Sequence, residues 1–317
     1  MPTIEIPKEK WSGQVREITL GATAAEGGTR SRSVTVGGET TLPFLYFEGE
    51  IPHRPAIAVE VQDRSPAEWS PVLLEAWGEV TQDVGDWTKA AEETGVDLIL
   101  LKFGLHDDLN GDYARQTLRR VLQATGLPLV VFGPGQAELD NELLVAVAEE
   151  GEGERLVLGV CEDKNYRTIV AAALGHGHLV DARCPMDVNL SKQLNILIND
   201  MGLPMERIVM DPTTGALGYG IEYGYSVMER LRLAALQGDA MTQLPMLVTP
   251  GEEAWRAKEA RTDEGVPEAW GDWAERAINW EVLTASTLLE SGADIVALRH
   301  PESVRRIRKM IDALTHN

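Results

Sequence analysis

Only two cysteines, Cys161 and Cys184, occur in 317 residues. That excludes a disulfide framework, and it excludes a four-cysteine iron–sulfur cluster or zinc ribbon built by this chain alone. Positive charge is also scarce. Lys and Arg number 29 against 50 Asp and Glu, a formal net charge of −21. Such a surface repels phosphate backbones, so no nucleic-acid partner is expected. No run of 18 apolar residues occurs, and the opening MPTIEIPKEKW lacks an apolar stretch of signal-peptide length. No membrane partner is expected, and the expected compartment is the cytoplasm. The composition that remains, 44% hydrophobic and 25% charged, is ordinary for a globular chain.

From residue 56 onward, short β-branched runs alternate with amphipathic stretches. The predicted strands are AIAVEV (56–61), DLILLKF (97–103), PLVVFG (128–133), RLVLGV (155–160), HLVDAR (178–183), RIVMDP (207–212), PMLVTP (245–250) and DIVALR (294–299). Each is bounded by Gly, Pro or charge, the pattern of strands buried on both faces. Helical stretches such as DYARQTLRRVLQATG and SKQLNILINDMG lie between them, and Gly95, Gly126, Gly202 and Gly292 stand where a helix C′ residue belongs. Eight βα units in this length predict an α/β fold, a (β/α)8 TIM barrel over 56–317, with an open doubly wound sheet as the alternative. Residues 1–55 form a separate arm. Within it VREITLGA and SRSVTVGG flank TAAEGGT and predict a β-hairpin. A lone hairpin is marginal in water, so it must pack either as a lid over the barrel's N-terminal end or as an arm docking on another subunit.

Chemistry on a barrel belongs to the strand C-termini and the βα loops. His176 and His178 precede a strand, at the opposite end, and read as a solvated turn. Cys161 and Cys184 end strands but lie in no His–Cys nucleophile pattern, so they read as buried structural thiols. The rim candidates are Gln62, Asp63, Lys102, Asp187, Asn189, Asp211, Thr213, Thr214, Arg299 and His300. Helix capping by Ser191 or Asn189 is the plain reading near Asp187. No metal cage, no Ser–His–Asp order and no Schiff-base lysine with clear partners is present, so no catalytic residue is assigned. The loop DPTTGALGYGIEYGYSVM (211–228) follows the sixth barrel strand. Its GYGIEYG misses a dinucleotide fingerprint by one position and has no P-loop lysine. Gly215, Gly218, Gly220 and Gly224 would let something large and flat approach the backbone, and Tyr219, Tyr223 and Tyr225 would face a ligand or a protein. The bland alternative is an ordered loop that closes the mouth. The excursion after the seventh strand carries Trp255 and Trp270, each read as core or interface, and Trp280 follows as core.

These motifs resemble a known family. GATAAEGGTRSRSVTVGG, LPFLYFEGEIPHRPAIAVEVQD, the long stretch KQLNILINDMGLPMERIVMDPTTGALGYGIEYGYSVMERLRLAALQGD, EAWRAKEA and RHPESVRRIR are similar to the small subunit of the corrinoid iron–sulfur protein. That family includes the delta subunit of the archaeal acetyl-CoA decarbonylase/synthase complex. The resemblance covers about residue 15 to the C-terminus. It implies a TIM barrel paired with a large subunit that carries a [4Fe–4S] cluster and a corrinoid (cobalamin) domain. The pair would accept a methyl group from methyltetrahydrofolate through a methyltransferase and deliver it to acetyl-CoA synthase, in the reductive acetyl-CoA (Wood–Ljungdahl) pathway. The chain would then be a non-catalytic carrier subunit whose mouth covers a corrinoid held mainly by the partner, since the cofactor brings its own chemistry. By position, the residues expected to meet the corrinoid are Asp187, Asn189, Thr213, Thr214, Gly215, Gly218, Tyr219, Gly220, Arg299 and His300. A pterin-dependent methyltransferase on the same barrel and a purely structural barrel subunit are the competing readings.

Overall fold

The computed structural model describes residues 6–315; the first five residues of the arm and the last two of the barrel segment lie outside that range. Eight parallel strands form the central sheet: β3 (Ala56–Gln62), β4 (Leu98–Lys102), β5 (Leu129–Phe132), β6 (Val157–Cys161), β7 (Leu179–Arg183), β8 (Ile208–Asp211), β9 (Leu247–Val248) and β10 (Ile295–Leu298). They pair in the order β8-β7-β6-β5-β4-β3-β10-β9. A bridge between Met210 and Met246 and a hydrogen bond from the Met210 N–H to the Pro245 carbonyl (2.9 Å) join β8 to β9 and close the ring. The predicted TIM barrel is the observed fold, and all eight strand segments are in place. The seventh is short because prolines bracket it. Pro250 opens a helix at its first turn, where its missing N–H costs no hydrogen bond.

Helices α1 (Pro71–Trp77), α2 (Val84–Glu93), α3 (Gly111–Ala124), α4 (Ala137–Glu150), α5 (Tyr166–His176), α6 (Val188–Asp200) and α7 (Ile221–Leu236) connect successive strands. After β9 the chain makes α8 (Pro250–Ala254), α9 (Lys258–Arg261) and α10 (Trp273–Glu290), and α11 (Pro301–Thr315) ends the fold. Gly95, Gly202 and Gly292 do follow helix ends with positive φ, as a C′ residue should. Gly126 does not. Its φ is ordinary, and an added Cβ would lie 2.5 Å from the Ser31 hydroxyl. The arm passes too close there for any side chain.

The hairpin pairs β1 (Ile18–Leu20) with β2 (Val34–Val36), Ile18 opposite Val36 and Leu20 opposite Val34. Ile18, Leu20 and Val36 are fully buried in the same apolar core as the barrel strands. Each such side chain stabilises by roughly 1.5–3 kcal/mol. Polar ties reach segments that precede β5, β6 and β9. Ser31 N–H donates to the Gly126 carbonyl (2.8 Å), Gly21 N–H to Arg155 (3.0 Å) and Arg16 N–H to Gln243 (3.0 Å). Arg30 lies buried against Glu154 (2.7 Å) and donates to the Thr125 carbonyl (2.8 Å). Of the two packing modes left open by sequence, the hairpin takes the lid on the N-terminal end of its own barrel.

His178 departs from its expected place as a solvated turn. It is fully buried at this closed end. Its Nδ1 accepts from the Leu156 N–H (3.1 Å), and its Nε2 lies 2.9 Å from the Ala148 carbonyl. The ring therefore needs one bare nitrogen, and burial pushes its pKa down to about 4.

Candidate functional site: the barrel mouth

The strand ends β3, β4, β5, β7, β8 and β10 deliver Gln62, Lys102, Phe132, Arg183, Asp211 and the adjacent Arg299 to the open end. Most of these polar groups arrive already paired. Arg299 forms a two-pronged bond to the buried Glu60 (2.9 and 2.8 Å), and Gln62 donates to the same carboxylate (2.9 Å). The Arg299 guanidinium covers the Trp69 ring at 4.7 Å. Its carbonyl accepts from the Trp77 indole (2.8 Å), so the Trp69–Trp87–Trp77 cluster beneath holds the arginine from below. Such two-pronged pairs fix direction as well as charge.

Across the opening, Lys102 meets Glu252 at 2.6 Å, and Arg256 meets both Glu252 and Glu253 at 2.6 Å. Burial works to raise the Glu252 carboxyl, but Lys102, Arg299 and Arg256 hold it down at about 2. This chain of ion pairs divides the mouth. One cavity of about 360 Å³ lies on the Trp69–Arg299 side. Another of about 220 Å³ lies over Phe132, Thr213 and Thr214. A third, about 580 Å³, adjoins it between the β6–α5 loop and α6, lined by Cys184, Leu190 and Leu194. Arg183 stands between the last two. It bonds Asp211 at 2.5 Å and lies over the Phe132 ring at 5.3 Å. Below it Asp181 is fully buried without a hydrogen-bond partner among the described residues, and burial with Asp211 nearby pushes its carboxyl well up.

The ten residues expected to meet a corrinoid do not converge on one cleft. Asp187 is the N-cap of α6, accepting from the Asn189 and Leu190 N–H groups (2.8 and 2.9 Å); capping thus falls to Asp187 rather than to Ser191 or Asn189. Asn189 is exposed, and its side-chain amide has no partner among the described residues. Thr213 carries a positive φ of 63°, uncommon for a β-branched residue. Asp211 and the Cys184 carbonyl hold it there. Thr214 accepts from the Thr249 N–H (2.8 Å) and ties β8 to β9.

The glycines have reasons within the chain. A Cβ on Gly215 would lie 2.4 Å from the Gly220 carbonyl oxygen, because the loop crosses itself there. Gly218 and Gly220 have φ of 74° and 93°, and Gly220 caps α7. The loop also ends earlier than its sequence implies, since Tyr223 and Tyr225 already belong to α7. Tyr219 donates to Glu259 (3.0 Å), and Trp280 donates to the Leu217 carbonyl (2.9 Å), so the turn leans on α9 and α10. His300 accepts the Glu302 N–H through Nδ1 (3.0 Å) and stacks on Trp255 at 5.9 Å. Burial lowers its pKa to about 4. Trp255 is core; Trp270 is exposed.

Sequence reasoning missed the Glu60–Arg299 pair, the Glu252 partition and the Asp63–His106 contact (2.9 Å). Glu60 alone carried a signal, as the one charge inside the apolar run AIAVEV. The two cysteines are free and buried as expected, and burial pushes the Cys184 thiol up to about 11. Among the described residues no group of three or more His, Cys, Asp or Glu is placed to hold a metal ion, and no helix is long and apolar enough to cross a membrane.

The fold and mouth define an eight-stranded (β/α) barrel whose polar open end is internally paired. Solved structures with the same fold include dihydropteroate synthases. That of Thermus thermophilus matches at 17% identity over 86% of this chain and 100% of its own, with a TM-score of 0.55. That of Xanthomonas albilineans matches at 14% over 83% and 94%, also at 0.55. Likeness at that identity speaks for the fold alone. The CO dehydrogenase/acetyl-CoA synthase delta subunit family matches residues 17–310. Relatives include the acetyl-CoA decarbonylase/synthase complex subunit delta of Archaeoglobus fulgidus, 38% identical over 97% of this chain and 70% of the relative. Those of Methanopyrus kandleri (39%, 95% and 75%) and Methanothermobacter thermautotrophicus (38%, 98% and 78%) are similar. The chain belongs to the CO dehydrogenase/acetyl-CoA synthase delta subunit family.

Proposed function

We propose that this chain is the barrel subunit of a methyl-carrying corrinoid iron–sulfur pair, within an acetyl-CoA decarbonylase/synthase type of assembly in the cytoplasm. The observation that carries the reading is a set of exposed apolar side chains on the loops and helix starts of the open end. Of ten large hydrophobic side chains exposed among the described residues, five lie there: Leu105, Leu190, Tyr219, Tyr223 and Trp270. Large apolar side chains left exposed on the loops of one end suit a contact surface there. The partner would be a large subunit carrying the corrinoid and the [4Fe–4S] cluster. A methyltetrahydrofolate methyltransferase and acetyl-CoA synthase would follow as transient partners.

A corrinoid fits this face as something covered, not enclosed. The largest of the three mouth cavities described above, about 580 Å³, suits a drug-sized ligand, and a macrocycle fringed with amides is larger. The free amide of Asn189 and the rim residues Asp187 and Tyr219 would meet such a fringe. Thr213 and Thr214 would line the floor below it. Gly215, Gly218, Gly220, Arg299 and His300 would serve by holding the loops. When bound, the corrinoid supplies the methyl-carrying chemistry; this chain supplies cover, hydrogen bonds and exclusion of water. The internally paired mouth supports a carrier role over a pterin-dependent methyltransferase, because Asp211 is already committed to Arg183 and the Thr213 N–H.

Coexpression with the large subunit tests the reading. Leu105→Asp and Trp270→Ala should each weaken the pair while leaving the melting temperature of this chain unchanged. Full association of both variants would overturn the rim as the contact surface. Titration of cob(II)alamin into this chain alone should show only weak absorbance changes, and tight stoichiometric binding would contradict the assignment of the cofactor mainly to the partner.

A further inference from the structure

We infer that the 360 Å³ cavity on the Trp69–Arg299 side of the mouth is a binding site for a small organic carboxylate with an apolar body. The inference concerns this chain alone and stands whether or not the rim meets a corrinoid-bearing partner.

The cavity has the size of a small-ligand site, and its polar lining is built rather than loose. Gln62, Trp69, Glu252 and Arg299 are each more than nine-tenths buried. Arg299 commits Nε and Nη2 to Glu60 and leaves Nη1 without a partner among the described residues. Lys102 uses one contact, to Glu252, and an ammonium has three protons to donate. Arg261 at the lip has no acidic partner among the described residues. The acidic side is closed off by comparison. Glu252 gives one oxygen to Lys102 and the other to Arg256, and Glu60 is held by Arg299 and Gln62. Among the described residues that line the cavity, the one carboxylate without a partner is the solvent-exposed Glu68, whereas Arg299, Lys102 and Arg261 all keep uncommitted donors, in a chain whose net charge is −21. Donors from Arg299 and Lys102 suit the two oxygens of a carboxylate. Leu73, Phe103 and Leu105 supply an apolar wall. A neutral ligand would accept from these donors without the added attraction of opposite charge, and a cation would find no free buried carboxylate in the lining.

The probes are benzoate, benzamide and benzylamine, which share a ring and differ in charge. Intrinsic tryptophan fluorescence of the full chain reports binding, because Trp69 and Trp255 line the cavity. Benzoate should quench or shift the emission saturably and raise the melting temperature, with benzamide weaker by about tenfold or more and benzylamine inert. Lys102→Gln should weaken benzoate by a similar factor; Glu252 keeps Arg256 as its partner in that variant. Should Lys102→Gln lack a cooperative melt, Arg261→Gln at the exposed lip decides instead. Equal binding of benzoate and benzamide overturns the inference, as does a folded variant that binds benzoate as the wild type does.

Discussion

Replacing His178 by Gln should remove a defined part of the acid sensitivity of this protein. The ring is fully buried, with one nitrogen accepting from Leu156 and the other facing the Ala148 carbonyl. A proton on Nδ1 would set two N–H groups nose to nose, and burial makes the charge costly as well. The folded-state pKa therefore falls from 6.5 to about 4. The unfolded chain takes up a proton as pH falls through 6.5, whereas the native state does so only near 4. Stability conferred by the neutral ring is complete above pH 6.5 and is lost as pH falls from 6.5 towards 4. At about 1.4 kcal/mol per pH unit, that gap amounts to about 3 kcal/mol. Urea unfolding of wild type and His178→Gln at pH 7.5, 6.5, 5.5 and 4.5 measures it. Carboxylates contribute to both proteins, so the quantity read is the difference between their slopes. The variant should start lower at pH 7.5, by about 1–3 kcal/mol for imperfectly replaced hydrogen bonds, and then lose less on acidification. Parallel slopes for the two proteins would refute the reasoning.

Four further outcomes are expected. Arg30→Ala removes the charge partner of the buried Glu154, which keeps only the Thr29 N–H and hydroxyl, and should cost about 3 kcal/mol, read by thermal melting; a loss under 1 kcal/mol would mean that the hairpin lid contributes little to the barrel. At Gly218 and Gly220 an added Cβ would make only ordinary contacts, with Trp280 at 3.8 Å and Tyr223 at 3.7 Å, but both hold positive φ, so each Ala variant should cost about 1–2 kcal/mol through backbone strain, whereas Gly215→Ala meets a backbone oxygen and should be the most damaging of the three. Asp140 has its pKa raised to about 6 by burial, so the native state resists its ionisation and stability declines as pH rises from about 4 to 6; Asp140→Asn should stabilise the protein at pH 7.5 more than at pH 4.5, and chemical unfolding at the two values checks the sign. Arg299→Lys breaks the two-pronged bond to Glu60 and should lower the melting temperature more than Arg256→Lys, whose side chain is largely solvent-exposed.

Periodicity and punctuation determined the barrel. Eight apolar runs bounded by Gly, Pro or charge each became a strand, because a strand covered on both faces must be apolar throughout and must stop where a turn residue allows it. Helix ends were legible at Gly95, Gly202 and Gly292 for a similar local reason: a left-handed φ costs glycine little. The hairpin was legible too, as alternation around a glycine-bearing loop. Family membership rested on long motifs, which are a property of sequence.

Tertiary structure decided what these elements touch. Gly126 reads like any helix terminator, yet its reason is Ser31, 95 positions away. His178 reads as part of a polar turn, yet its ring is buried between the Leu156 N–H and the Ala148 carbonyl of α4. Gly215, Gly218 and Gly220 read as room for a flat ligand, yet they serve a loop that crosses itself. The mouth was legible only as a set of strand ends. Which cation meets which carboxylate, Arg299 with Glu60 or Lys102 with Glu252, depends on closing the barrel between β8 and β9 and on the path of the excursion after β9. Pairing across a ring is a contact between residues far apart in the chain, and local propensity carries no record of it.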